Sequence, residues 1–135
     1  MTTETTCIFQ ITSWDEKPYQ EIGGGAKLTN AKVTQVYSGA IEGTSTIEYL
    51  MSYTVQGTAS FVGLERFSGT VEGKAGTMVI QHAGSFSEGI ARSSWSVVPG
   101  SGTDDLASLR GKGSYVAGHG EPAQVSFVCS LEPNA

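Results

Sequence analysis

Helical periodicity is what this sequence lacks most. No long stretch repeats its apolar residues every three to four positions, so a helical bundle is excluded. Basic residues are also scarce: 8 Lys and Arg stand against 13 Asp and Glu, a net charge of −5, and no basic stripe interrupts the balance. A nucleic-acid surface and an anionic membrane partner are therefore not expected. No apolar run approaches the ~20 residues of a membrane span. The opening MTTETT has neither the basic start nor the apolar stretch of a signal peptide, and no N-x-S/T sequon occurs, so the expected setting is a bacterial cytoplasm. The two cysteines and two histidines are too scattered to give a zinc spacing. No phosphate loop, dinucleotide fingerprint or G-x-S-x-G elbow is present. No cofactor and no metal are expected.

What is present is glycine, 18 residues of 135, nearly twice the average of about 7%. It punctuates short apolar runs that read as strands near 6–14, 28–41, 44–55, 58–71, 75–86, 90–98, 112–117 and 123–131. The one helical segment is TDDLASLRG, near 103–110. There Thr103 is placed to cap, Asp104 and Asp105 suit the positive end, and Gly111 is placed to stop the helix. GGGAKL reads as a flexible loop. Eight strands with short connections pair antiparallel, and a sheet of that size removes its edges by closing. The expected fold is all-β: one domain over 1–135, a single eight-stranded antiparallel β-barrel. Cys7 and Cys129 then lie near the closing seam, either as reduced core thiols or, if the seam brings them together, as a disulfide.

Turn positions fix register. A turn centred on Gly73-Lys74 sets Glu65 opposite His82, Gly63 opposite Gly84, Phe61 opposite Phe86 and Phe67 opposite Ile80. A turn at Glu88-Gly89 sets His82 opposite Trp95. One at Gln56-Gly57 sets Glu48 opposite Glu65, and one at Glu42-Gly43 sets Tyr37 opposite Glu48. The result is one row, Tyr37–Glu48–Glu65–His82–Trp95, sharing an interior face with Leu50, Phe61, Phe67, Ile80, Phe86 and Val97. The outer face holds Arg66, Gln81 and Arg92, together with Ile47, Tyr49, Met51, Val62 and Leu64, an apolar strip that is a candidate contact between copies. Two carboxylates opposed inside a poorly hydrated barrel cannot both ionise cheaply, so one of Glu48 and Glu65 is expected to hold its proton more tightly than usual.

Two bland readings stand beside this one. The row is a satisfied buried network that pins the register, or it is a solvated outer face. WDEKPY, ending the first strand, reads as a solvated acidic pair or as a rim of the barrel mouth. His119 reads as a turn residue.

EYLMSY, SFVGLERFSGTVEGKAGTMVIQHAGSF and WSVVPGSGTDDLASLRGKG, with WDEKPY upstream, resemble a family of small bacterial proteins of unknown function. That family is similar in fold to plant allene oxide cyclase, an eight-stranded antiparallel barrel. GSGTDDLASLRGKG is also similar to the Gly-Thr-Gly, aromatic, Ala-Arg-Gly segment of dirigent proteins, although Leu106 stands where an aromatic is expected. The resemblance implies a barrel with a central cavity and a homo-oligomer, dimer or trimer. It supplies no site residue, because neither relative's motif matches here residue by residue.

Three functions are compatible with these residues. The first is a barrel binding a small apolar molecule that carries a polar group: Glu65 and His82 engage that group, Glu48 and Tyr37 tune them, and Phe61, Phe67, Phe86 and Trp95 form the walls. The second is an isomerase or cyclase with Glu65 as base, His82 as acid and Glu48 as their partner. The third is a barrel filled by its own side chains, acting through its surface.

Overall fold

Alternation of buried and exposed side chains runs along nearly every strand, and it closes the chain on itself. The computed structural model describes residues 2–118 and 123–131; His119 lies outside them. The strands are β1 (Thr2–Gly23), β2 (Ala26–Gly39), β3 (Ile41–Tyr53), β4 (Ala59–Val71), β5 (Lys74–Ser87), β6 (Ile90–Val97), β7 (Leu109–Gly118) and β8 (Ala123–Leu131). Each pairs antiparallel with its neighbour in sequence, and β8 pairs with β1, so the eight strands form one ringed sheet. β1 is far longer than expected. It pairs with β8 from Thr2 to Phe9 and with β2 from Cys7 to Gly23, absorbing its curvature in register shifts after Ile11, Pro18 and Glu21. WDEKPY is therefore inside a strand. GGGAKL is not a flexible loop but a tight reversal at Gly24-Gly25.

The turns decide the register, and three of the four expected registers need correction. At Glu88-Gly89 the expectation holds: both residues have positive φ (53° and 77°), as a type I′ hairpin requires, and His82 faces Trp95. The β4–β5 turn is centred one residue earlier than expected, on Glu72-Gly73, again with φ positive at both (50° and 79°). Pairing therefore slips by two: Glu65 faces Ile80, Gly63 faces His82, Phe61 faces Gly84 and Phe67 faces Met78. A slip of two leaves every side chain on its own face.

The β3–β4 connection is different. It spans residues 54–58 and is closed by the Thr54 N–H donating to the Thr58 carbonyl at 2.8 Å and by a 2.7 Å contact between their hydroxyls. This shifts the pairing by one and turns β3 over. Ile47, Tyr49 and Met51 point inward, while Glu48 is exposed, as is Leu50. Glu48 faces Leu64, and Ile47 faces Glu65. At the β2–β3 reversal only Ala40 separates the strands, so Tyr37 faces Gly43 rather than Glu48.

Two apolar clusters fill the ring. One, centred on Phe67, Met78, Ile80, Trp95 and Phe127, occupies the end nearest the β4–β5 turn. The other, with Val33, Ile47, Tyr49, Met51 and Phe61, lies toward the opposite end. The β6–β7 connection plugs the first end. Its helix is a single 3-10 turn, Asp104–Leu106, whose Leu106 is fully buried. Thr103 makes no capping bond; its hydroxyl instead accepts the Thr77 N–H at 3.0 Å. Gly111, expected to stop the helix, lies within β7. Cys7 and Cys129 are both buried and free. Register explains why: Cys7 faces Val125, and Cys129 faces Thr3.

Candidate functional site

Polar side chains are few inside the ring, and most of them are joined. Glu65, with no exposed surface, stands on β4 beside His82 of β5, which is also buried. A carboxylate so placed needs donors for both oxygens. Glu65 Oε2 accepts the Tyr37 hydroxyl at 2.5 Å, and Oε1 meets His82 Nε2 at 2.6 Å. The other ring nitrogen, Nδ1, lies 3.3 Å from Ser93 Oγ. The Tyr115 hydroxyl follows next to Ser93 and lies 3.5 Å from the hydroxyl of Tyr49. Hydrogen bonds therefore join Tyr37, Glu65, His82 and Ser93 in one polar chain, and the Tyr115 and Tyr49 hydroxyls stand beyond its Ser93 end. Burial, with the Glu65 carboxylate behind it, holds the Tyr37 hydroxyl well above its usual range. Burial likewise pushes Tyr115 up, against the neighbouring Tyr49 and Ser93 hydroxyls, which pull the other way.

The chain ends at a cavity. About 80 Å³ of space is enclosed by Trp14, Tyr49, Met51, Phe61, Phe86, Ala91 and Tyr115. Two glycines give these rings their seats. A Cβ on Gly63 would lie 2.7 Å from Tyr49 Cδ1, and one on Gly84 would lie 2.6 Å from Phe61 Cζ. Trp14 closes one side, stacking on Tyr49 with centroids 6.1 Å apart and planes 27° apart. It is 45% exposed, so it is wall on one face and surface on the other.

Trp14 is held there by Glu16. Its indole N–H donates to Glu16 Oε1 at 3.0 Å, while Thr29 and Tyr53 hydroxyls donate to Oε2 at 2.6 and 2.7 Å. Burial pushes the Glu16 carboxyl up, but these three donors and the charge of Lys27 outweigh it and hold it below its usual value. Of the two readings of WDEKPY, Glu16 takes the rim. Asp15 is solvated, with only a 4.0 Å contact to the exposed Lys17.

Of the expected site residues, Tyr37, Glu65, His82, Trp95, Phe61 and Phe67 come together inside. Trp95 and Phe67 are packed in the closed end and do not line the cavity; Trp95 stacks on Phe127 at 4.8 Å, and Phe67 is fully buried. Phe86 is half-buried at the cavity. Glu48 is not in the site: it is exposed on the outer face, so no pair of opposed carboxylates exists there. Sequence reasoning missed Tyr49, Ser93 and Tyr115. The I-x-Y-x-M alternation of β3, more apolar than its E-x-L-x-S complement, was the available signal for Tyr49. A concavity of about 1170 Å³ lies on the outside of the ring and is lined by Lys32, Glu48, Leu50, Val62, Leu64 and Arg66 among others. Among the described residues no three His, Cys, Asp or Glu side chains form a metal-ligating group, and no helix is long and apolar enough to cross a membrane.

No curated protein matches this sequence. A crystal structure of a protein of unknown function from Shewanella oneidensis MR-1 is similar along nearly the whole chain. It is 27% identical, with a TM-score of 0.79, covering 98% of this chain and 100% of that one; it is described as a DUF3224 family protein. The family described as "Protein of unknown function (DUF3224)" matches residues 5–128. The ringed sheet and its buried polar chain are therefore those of a member of the DUF3224 family, to which this protein belongs.

Proposed function

We propose that this protein is a β-barrel that binds one small, mostly apolar group of a metabolite in the cavity beneath Trp14. The observation that carries the reading is the cavity's construction. Five aromatic rings and a methionine surround it, and its polar elements are the Tyr49 and Tyr115 hydroxyls, backed by Ser93, His82 and Glu65. An apolar chamber with a few convergent polar atoms is the usual design of a small-molecule site. Its size limits what enters. An apolar cavity of roughly 150 Å³ holds benzene, so about 80 Å³ takes a handful of heavy atoms, with the rest of the molecule outside past Trp14.

An acid–base role for Glu65 and His82 acting directly on a bound molecule has less support. Each of their polar atoms already has a partner, and the two tyrosines, not His82, line the cavity. Native mass spectrometry of the purified protein, followed by extraction, tests the proposal. The expected result is a retained or readily acquired small molecule that is lost in Trp14→Ala. A clean apo mass, with nothing taken up from a metabolite or lipid extract, points to a barrel filled for its own sake.

A further inference from the structure

Resting on that reading, we infer that the group the cavity takes is a methylated ammonium, as in a choline-like or betaine-like molecule. Three observations converge on it. The first is the wall: Trp14, Tyr49, Phe61, Phe86 and Tyr115 line a space of about 80 Å³, and a ring of aromatic groups attracts a diffuse cation through the negative faces of the rings. On the scale of benzene in about 150 Å³, the space takes about three heavy atoms, so the methyl groups of such a head enter it and the rest of the molecule stays outside past Trp14.

The second is the surrounding charge. No Lys or Arg lines the cavity. Behind its tyrosine floor lies the Glu65–His82 pair. With Glu65 ionised, that pair carries a net charge of −1 or zero according to the ring, and not a positive one. At the rim, Glu16 grips the indole of Trp14 and is held as a carboxylate by Thr29 and Tyr53. The nearest rim cation, Lys27, is already engaged, its Nζ 5.3 Å above the Tyr53 ring. An anionic group entering here meets two carboxylates, each already beside its own partner, Lys27 or His82, and no Lys or Arg in the lining to receive it.

The third is the count of acceptors. A primary ammonium brings three N–H donors that must all be satisfied once buried. The cavity floor offers two hydroxyl oxygens, Tyr49 and Tyr115, and these already face each other at 3.5 Å. A primary amine would be left short of a partner. A quaternary ammonium needs none and sheds its weak hydration readily, so the same walls that reject the amine accept the methylated cation.

The test separates this inference from the one beneath it. The intact protein is titrated with choline and with 3,3-dimethylbutan-1-ol, its neutral isostere, following heat by calorimetry and Trp emission. Choline is expected to bind about tenfold more tightly than the isostere, the effect of a desolvated cation on ring faces. Glu16→Gln keeps an acceptor for the Trp14 indole but removes the charge, so it is expected to weaken choline more than it weakens the isostere. Trp14→Ala, a change at a half-exposed residue, is expected to weaken both. Equal affinity of the two probes overturns the ammonium inference while leaving the cavity as a binding site. Saturable binding of neither, at millimolar concentration, overturns both. Choline binding that is indifferent to Trp14→Ala places the cation elsewhere and also overturns the inference.

Discussion

Removing the Glu65 carboxylate is the sharpest test of what the interior chain does. Glu65→Ala strands two buried donors, the Tyr37 hydroxyl and the His82 ring N–H. Each unsatisfied buried donor costs about 1–3 kcal/mol, and breaking a buried pair by deleting one partner costs about 3–5 kcal/mol. The two estimates agree, so about 4 kcal/mol is expected from a total of about 5–15. In urea, with m near 1.5 kcal/mol/M for a chain of this size, the unfolding midpoint drops by about 2–3 M. Glu65→Gln behaves differently. Its amide oxygen accepts the Tyr37 hydroxyl. Its NH2 donates to His82 Nε2 once the ring proton moves to Nδ1, where Ser93 Oγ accepts it. Only the extra strength of charge-assisted bonds is lost, about 1–2 kcal/mol. In Glu65→Ala/His82→Ala the two losses overlap, so the double variant is expected to cost about 2 kcal/mol less than the sum of the singles. Strictly additive losses, or a Glu65→Ala cost below about 1 kcal/mol, would refute the claim that the chain acts as a unit. A Gln variant as unstable as the Ala variant would refute the tautomer shift.

Three further outcomes follow from the same structure. Burial, with help from the Glu65 charge, pushes the Cys7 thiol from 9.0 up to about 12, so the unfolded chain loses that proton first and stability falls as pH rises from about 9 toward 12; in the native state near neutral pH neither Cys7 nor Cys129 is expected to react with a thiol reagent, and fast native labelling would contradict their burial. Gly63→Ala puts a methyl against Tyr49 and the Glu48 carbonyl, both 2.7 Å away, so an overpacking loss of about 1–3 kcal/mol is expected in thermal unfolding, and a neutral substitution would show that Tyr49 is free to move. We also propose that copies associate through the outer concavity, where Leu50, Val62 and Leu64 are exposed and Lys32 and Arg66 share one surface with Asp15 and Glu48, a self-complementary pattern. Leu64→Glu is expected to sediment as the 14.1 kDa single chain with its circular dichroism intact, and a wild-type protein that already sediments so would refute the contact.

The strand order and nearly every strand were legible in the sequence because glycine-marked turns and two-residue alternation are local signals. The interior placement of Glu65, His82 and Tyr37 was legible for the same reason: an error of two in one hairpin cannot change a face. Glu48 was misplaced because its assignment rested on an Asn-Gly-like reading of Gln56-Gly57. The actual connection is closed by the paired hydroxyls of Thr54 and Thr58, and it carries an odd number of residues, which no dipeptide signal reveals. The Glu72-Gly73 turn was missed by one residue because Glu is an uncommon occupant of a positive-φ position. The Glu88-Gly89 turn places Ser93 opposite Gly84, as the structure has it, but what Ser93 and Tyr115 do could not be read. Their role depends on which rings lie opposite across the interior, a distance of many residues along the chain.

The double duty of β1 also constrains how the chain reaches its final form. Every strand pairing but one joins neighbours in sequence and can zip locally. The seam between β1 and β8, where Cys7 meets Val125, encloses roughly 120 residues of chain, and bringing such distant ends together costs about 4 kcal/mol of loop entropy on logarithmic scaling. That seam is expected to form late. During synthesis the start of β1, Thr2–Thr6, has no partner until β8 leaves the ribosome, so for that interval it presents an open edge. A second nascent chain's β8 can fill that edge as well as its own, so exchange of terminal strands between chains is the characteristic error to look for when this protein is made too fast.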